Sequence, residues 1–374
     1  MASEKPTSRR EFLRGKTAAR SLLARMQAIA DRAAQSFGAD HAAPVAAGLP
    51  MASGGHPKLQ ATRRAMACDF QIQYHAADGA AANDAVLAAL DLVDRLEAQL
   101  TIYRDTSEVL DINRRAAEQR VAVEPQLFSL LELCMWLHAE TKGAFDPTSG
   151  PLSRAWGFLR REGRTPSDEE IAAARSHVGG AKVELDQLDR TIRFREPGVE
   201  INLNAVGKGY ALDRVAQLLA DRGVDDVLCH AGRSSVTARG RDRAQHDDGW
   251  RIAVPHPFRV EQSVGDLILR DESLGTSGSG TQFFEVDGRR YGHLIDPRTG
   301  RPAEGVSTAT VVAPSGAEAD ALSTAFYVMG PAGASEYCAV HRDIAAVLVC
   351  PRAGSHEAFD LHAFNLDSNR WRPA

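Results

Sequence analysis

The stretch Tyr291-Gly292-His293-Leu294-Ile295-Asp296-Pro297-Arg298-Thr299-Gly300-Arg301-Pro302 is followed by a β-like run and then by Glu318-Ala319-Asp320-Ala321-Leu322-Ser323-Thr324. It gathers an imidazole at His293, carboxylates at Asp296 and Asp320, and a tight turn. The residue before Pro297 is held extended, so Asp296 opens a loop that turns at Thr299-Gly300. Asp320 and Thr324 lie at i,i+4 spacing, which on a helix puts both oxygens on one face. Oxygen donors of this kind suit a hard cation, Mg²⁺ before Zn²⁺. A plainer reading uses the same residues, with Asp320 as a solvated first-turn acid favoured by the helix dipole and Asp296-Pro297 as an ordinary turn starter.

Other segments precede this one. Gly143-Ala144-Phe145-Asp146-Pro147-Thr148 leaves a predicted helix and is followed by Trp156-Gly157-Phe158. Glycine there allows close backbone approach to a ligand, and Pro147 keeps Asp146 extended. Asn202 to Asp213 reads NLNAVGKGYALD, with a helix predicted from about Tyr210 to Arg222 and closed by Gly223. Gly207-Lys208-Gly209 at a helix N-terminus offers N–H groups and an ammonium to a pyrophosphate. It is not a Walker A motif, since no first glycine stands at the right distance and no Ser or Thr follows Lys208. Thr276-Ser277-Gly278 completes the set.

In this order, from roughly Ala65 to the C-terminus, these segments resemble the FAD:protein FMN transferases of the ApbE family. The resemblance implies an α+β fold, mainly antiparallel sheet with flanking helices, in a two-lobed, T-fold-like architecture with FAD between the lobes. It implies that Met66 lines the flavin pocket, that Tyr103 lies against the isoalloxazine, and that Ala144, Phe145, Asp146, Asn202, His293 and Leu294 are further FAD contacts. Lys208 becomes a phosphate ligand, and the Ala205 carbonyl joins Asp320 and Thr324 around Mg²⁺. Where relatives usually have Gly-Thr after the methionine, this chain has Ala67-Cys68; Asn202 replaces a usual Asp. Asn204-Ala205 stands where small residues are usual, and His230-Ala231-Gly232-Arg233-Ser234-Ser235 where Gly-Gly-Asp is common. His230 reads as a satisfied buried histidine.

The expected reaction moves FMN from FAD to a Thr or Ser hydroxyl of an acceptor flavoprotein, such as a redox-complex subunit, with His293 as base and AMP leaving. Two alternatives use the same residues: a Mg²⁺-dependent FAD pyrophosphatase giving FMN and AMP, and a non-catalytic FAD-binding homologue. A third, a periplasmic or membrane-associated scaffold, rests on the N-terminal arm alone.

That arm, residues 1–60, precedes the transferase-like domain 61–374. Thr7 to Arg14 resembles a twin-arginine export motif, but Gly15-Lys16-Thr17-Ala18-Ala19-Arg20 supplies no apolar region, so a cytoplasmic location is expected and a periplasmic one is the alternative. Ser21 to Phe37 has the pattern of an amphipathic helix, and Ala39 to Lys58 that of a linker. The first cysteine is Cys68, inside the matched region, which argues against a lipid near the start. No run reaches transmembrane length, so no stable membrane insertion is expected. A formal net charge of −5, with no dense basic stripe beyond the first tail, argues against nucleic acid as a partner. Five irregularly spaced cysteines fit neither a disulfide framework nor a CxxC metal site.

Between the motifs, periodicity predicts helices over Asp84–Leu100 and Pro125–Thr141, a short helix capped by Ser107, and a half-buried strand ending at Tyr74. A hairpin is predicted from Val183–Asp186 and Thr191–Phe194, and another turning at Asp287-Gly288. Strands are expected at Val224–Cys229, Val306–Ala313 and Asp343–Cys350, and a helix at Glu318–Met329. Tyr103 reads equally as a residue packing its ring into the core at a helix end, and the tail after Pro351 carries little signal.

Overall fold

Phe70, Ile72 and Tyr74 are buried in alternation with more exposed neighbours, the pattern of a strand with one face on a core. The computed structural model describes residues 57–374 apart from 161–162, 246–247, 260–261, 279, 281–282, 287 and 353–357. The twin-arginine-like motif, the amphipathic helix, the linker as far as His56, and Asp287 of the second hairpin turn lie outside the described residues. The elements below belong to the unit formed by Ala52–Ala65 and Asp69–Ala374, apart from Met66–Cys68, which group with the other unit.

β1 (Lys58–Ala65) and β2 (Cys68–His75) are separated by Met66 and Ala67, both at positive φ, 47° and 61°. α1 (Gly79–Leu100) buries Val86, Leu90, Val93, Leu96 and Leu100. It starts before Asp84 because Ala80-Ala81-Ala82 are strong helix formers. Ser107 caps α2 (Glu108–Arg115), accepting the Leu110 N–H. After β3 (Val121–Ala122), α3 (Pro125–Glu140) opens with proline at its start and Glu124 accepting the Gln126 and Leu127 N–H groups. It ends where Lys142 and Gly143 turn to positive φ, 52° and 77°. α4 (Gly150–Ala155) occupies the end of what the sequence suggests is loop, with Pro151 in its first turn. A Ser167/Glu170 capping box starts α5 (Asp168–Arg175). β4 (Val183–Asp186) and β5 (Thr191–Phe194) pair as the expected hairpin.

α6 (Gly207–Ala220) begins ahead of the predicted Tyr210, so Lys208 sits in its first turn. β6 (Val227–Ala231) begins later than Val224, because Asp226 accepts the Arg241 N–H at 2.9 Å and Arg243 Nε at 2.6 Å and is held outside the ladder. Then follow β7 (Ser235–Arg239), β8 (Trp250–Pro255), β9 (Ser263–Leu269), β10 (Ser273–Gly278), and the ribbon of β11 (Phe283–Val286) and β12 (Arg289–Gly292). After β13 (Ile295–Asp296), β14 (Arg301–Pro302) and β15 (Thr308–Ala313) comes α7 (Gly316–Val340), which breaks at Gly330 (φ 70°, ψ −175°) just past the predicted end, Met329. β16 (Ala345–Pro351), β17 (Phe359–Phe364) and β18 (Trp371–Pro373) close the chain, so the polar tail supplies two strands that sequence reading passed over.

An eight-stranded sheet runs β1-β2-β6-β7-β10-β15-β16-β17, and its registers from β2 to β17 are antiparallel. A three-stranded sheet, β18-β9-β8, faces it across Leu228, Val236, Leu274, Val312, Val347, Val349, Trp250, Leu267 and Trp371. Each such aliphatic side chain, fully buried, is worth about 1.5–3 kcal/mol. α6 and α7 pack on the eight-stranded sheet and on each other. Gly275 of β10 permits this, since a Cβ there would lie 2.4 Å from the Ala319 carbonyl oxygen. The chain is thus α+β with mainly antiparallel sheet and flanking helices.

Candidate functional site

α6 and α7 cross at their N-termini with glycine against glycine. A Cβ on Gly209 would stand 2.0 Å from the Gly316 oxygen, and one on Gly316 2.5 Å from the Gly209 oxygen. At that distance each helix supplies the other's cap. Asp213 of α6 accepts the Gly316 and Ala317 N–H groups at 2.6 and 2.9 Å, while Asp320 of α7 accepts the Gly209 N–H at 2.7 Å through Oδ2. Both carboxylates therefore meet the positive end of a helix. Val206, at the N-cap of α6, has no capping side chain. Gly209 is the third residue of α6, so its N–H has no partner within the helix and Asp320 satisfies it. The Ala205 carbonyl, two residues before α6, accepts no backbone hydrogen bond from the described residues.

Hydroxyls surround the carboxylate. Ser235 Oγ donates to Asp320 Oδ1 at 2.8 Å, and the preceding Ser234 accepts the Lys208 ammonium on its own Oγ. Thr324 and Ser323 donate to the Asp320 carbonyl, and Ser277 reaches Ser323 at 2.8 Å and Thr324 at 3.2 Å. Burial pushes the Asp320 carboxyl up to about 6, against the opposing pull of Lys208, Ser235 and the Gly209 N–H. Among the described residues no group of three or more His, Cys, Asp or Glu is arranged to hold a metal. The donors here are one carboxylate, one open carbonyl and a threonine hydroxyl. That set fits Mg²⁺, which is commonly held by one or two carboxylates with water and phosphate oxygens completing the shell. A cation would also relieve the cost of the buried charge on Asp320.

A second cluster is built on the Gly143–Thr148 loop. Ala144 and Phe145 are buried, at 1% and 2% exposure, so their side chains serve the core and only their backbone is left for a ligand. Asp146 Oδ1 accepts the Thr148 N–H at 2.7 Å and hydroxyl at 2.6 Å, and Oδ2 lies 3.3 Å from His138 Nδ1. The Gly180 N–H donates to His138 Nε2, so Nδ1 carries the proton. The Asn202 N–H donates to the Pro147 carbonyl at 2.8 Å, tying NLNAVGKG to this loop, and Asn202 Oδ1 accepts the Asn204 N–H. Asn113 bonds both backbone groups of Ile201. Tyr103 follows α1 with 59% of its surface exposed, which overturns the reading of its ring as core.

His293 follows β12 with its ring edge-on to Phe158, their centroids 6.5 Å apart, beside the cluster of Trp156, Phe284 and Tyr291. Trp156 Nε1 donates to the Gly300 carbonyl at 2.8 Å, joining two of the sequence motifs directly. Leu294 accepts the Ala303 N–H through its carbonyl. Asp296 is occupied locally: its carboxylate takes Arg298 Nε and Nη2, both at 2.8 Å, and its carbonyl takes the Gly300 N–H. For Asp296 the turn-forming reading is the correct one. His230 is satisfied by the Gly232 carbonyl at 2.9 Å.

The structure thus unites Lys208, Asp320, Thr324 and the α6 start that carries Ala205, and joins Asn202 to Asp146 in a second group. His293 and Leu294 belong to the β12–β13 corner, and Met66 to the β1–β2 turn. Sequence reading missed Ser234, Ser235, Asp213 and His138. Asp213 closes the NLNAVGKGYALD segment and Ser234-Ser235 is a noted departure, so both were visible as positions without a role.

A lysine and a buried carboxylate meet at one helix N-terminus, where backbone N–H groups favour anions. The chain belongs to the ApbE family, whose model matches residues 66–348. It is 32% identical over 272 residues to an FAD:protein FMN transferase of Vibrio cholerae serotype O1, covering 71% of this chain and 79% of the relative. With the Escherichia coli K12 protein of the same name it shares 32% over 273 residues, covering 71% and 75%. The structure also resembles the ApbE protein of Thermotoga maritima (TM-score 0.74, 28% identity, 82% of this chain and 97% of that one). The flavin transferase ApbE from Vibrio cholerae is similar too (TM-score 0.73, 28% identity, 83% and 97%).

Proposed function

We infer that this chain is a Mg²⁺-dependent FAD:protein FMN transferase. The observation that carries the inference is the Asp320 carboxylate bound to the Gly209 N–H in the first turn of α6, where Lys208 also lies and where the Ala205 carbonyl, three residues before Lys208, accepts no backbone hydrogen bond among the described residues. Asp320, Thr324 and the Ala205 carbonyl would hold Mg²⁺, which neutralises charge developing on the diphosphate when bound. Lys208 orients the diphosphate of FAD. The hydroxyl oxygen of a Thr or Ser on an acceptor protein attacks the FMN phosphorus and gives its proton to His293. The bond from that phosphorus to the bridging oxygen breaks, and AMP leaves. Tyr103 is an exposed aromatic face suited to the isoalloxazine.

The test incubates the purified chain with FAD and an acceptor domain, with and without Mg²⁺, and resolves AMP, FMN and flavinylated protein. AMP with covalent flavin on the acceptor is the expected result. AMP with free FMN assigns the site to hydrolysis, and intact bound FAD under every condition overturns both enzymatic readings.

A further inference from the structure

Lys208 and Gly209 are consecutive in the first turn of α6, and the Gly209 N–H bonds Asp320, so the backbone next to the lysine is tied to a buried carboxylate of α7. Opposite charges so placed attract strongly once water is excluded. A closed lysine–aspartate pair would leave neither charge for a ligand. Yet Lys208 and Asp320 form no ion pair among the described residues. Two adjacent hydroxyls intervene: Lys208 Nζ donates to Ser234 Oγ, and Ser235 Oγ donates to Asp320 Oδ1 at 2.8 Å. Both serines are fixed to the sheet. The Ser234 carbonyl accepts the Thr276 N–H at 2.7 Å, and Ser235 pairs with Ala231 and with Gly275. A hydroxyl has the required duality, accepting from an ammonium at one position and donating to a carboxylate at the next.

We propose that Ser234 and Ser235 are positioning residues that hold Lys208 and Asp320 apart, keeping the ammonium for the diphosphate of FAD and the carboxylate for the cation. The proposal rests on the transferase reading above. Removal of both hydroxyls frees Lys208 to swing onto Asp320, so cation binding must then compete with an internal ion pair.

The test titrates Mg²⁺ alone into the full chain, without FAD, following Tm and the heat of binding. In Ser234→Ala/Ser235→Ala the Mg²⁺ concentration for half-maximal effect rises about tenfold, the scale of one hydrogen bond to a charged group. Adding Lys208→Met to that variant removes the competing ammonium and returns the half-point toward wild type, a recovery that a merely structural role would not produce. Ser235→Thr, which keeps the hydroxyl, binds as wild type. If the double variant does not fold, Ser234→Ala alone, with the Ser235–Asp320 bond intact, takes its place in the same comparison. A double variant whose curve overlays wild type, or no recovery with Lys208→Met, overturns the proposal and leaves the transferase reading standing. A wild-type chain indifferent to Mg²⁺ overturns both.

Discussion

Asp320 is a polar group that the fold buries at a cost, offset in part by the Gly209 N–H and the Ser235 hydroxyl that it accepts. Asp320→Asn still has acceptor and donor atoms for the Gly209 N–H and the Ser235 hydroxyl, so the chain should fold while AMP release falls by about 10²-fold or more, the scale of losing one preorganised charge contact. AMP formation and circular dichroism, measured side by side, check this. His138 offers a pH test. Its hydrogen bond to Asp146 raises its pKa above the usual 6.5, against the opposing effect of burial. A raised folded-state value means that the stabilisation is fully present below the unfolded pKa and is lost as pH rises through the folded one. Urea unfolding should therefore show the deficit of His138→Gln relative to wild type narrowing as the pH rises above the ordinary histidine value of 6.5 and through the raised folded one. Asp320 and Thr324 stand out in the sequence by their i,i+4 spacing and Lys208 by its place between two glycines at a helix start, while the roles expected of them come from the family resemblance. Ser235 was not legible: its hydroxyl acts on a carboxylate 85 residues away, and only the sheet brings them together.

At the level of elements, what could be read was what the chain writes locally. Both hairpins, the Ser107 cap and the break after Met329 follow from turn and cap chemistry within a few residues. Strand order was out of reach, since β2 beside β6 and β10 beside β15 are pairings across long stretches that no local signal encodes. The same holds for the α6–α7 crossing. Gly207 and Gly209 look alike in Gly207-Lys208-Gly209, but a Cβ at Gly207 meets only Leu100 Cδ1 at 3.8 Å, whereas one at Gly209 meets backbone at 2.0 Å. Gly209→Ala should accordingly cost about 1–3 kcal/mol or more through overpacking against backbone. Gly207→Ala should be neutral or slightly stabilising, as expected of alanine in a helix. Denaturant midpoints of the two variants decide the point, and equal midpoints would contradict the crossing described here.

Across the molecule, burial is uneven. β10, β15 and β16 lie inside the eight-stranded sheet with α7 on one face, while β11–β12 is a two-stranded ribbon with Phe283 43% exposed. Native-state hydrogen exchange should find the slowest amides in β15 and β16 and the fastest strand amides in the ribbon that leads to His293. Reciprocal capping bears on how such a chain comes into being. Asp213 cannot cap α7 before Gly316 exists, and α6 lacks its acceptor until Asp320 has been made, spans of 103 and 111 residues. A nascent chain growing from its N-terminus carries Lys208 and the Ala205 carbonyl long before anything arranges them. The crossing is assembled only once Asp320 has been made, and a ribosome stalled just short of Gly316 holds a polypeptide with every earlier motif as far as His293-Leu294-Ile295-Asp296-Pro297-Arg298-Thr299-Gly300 and neither cap in place.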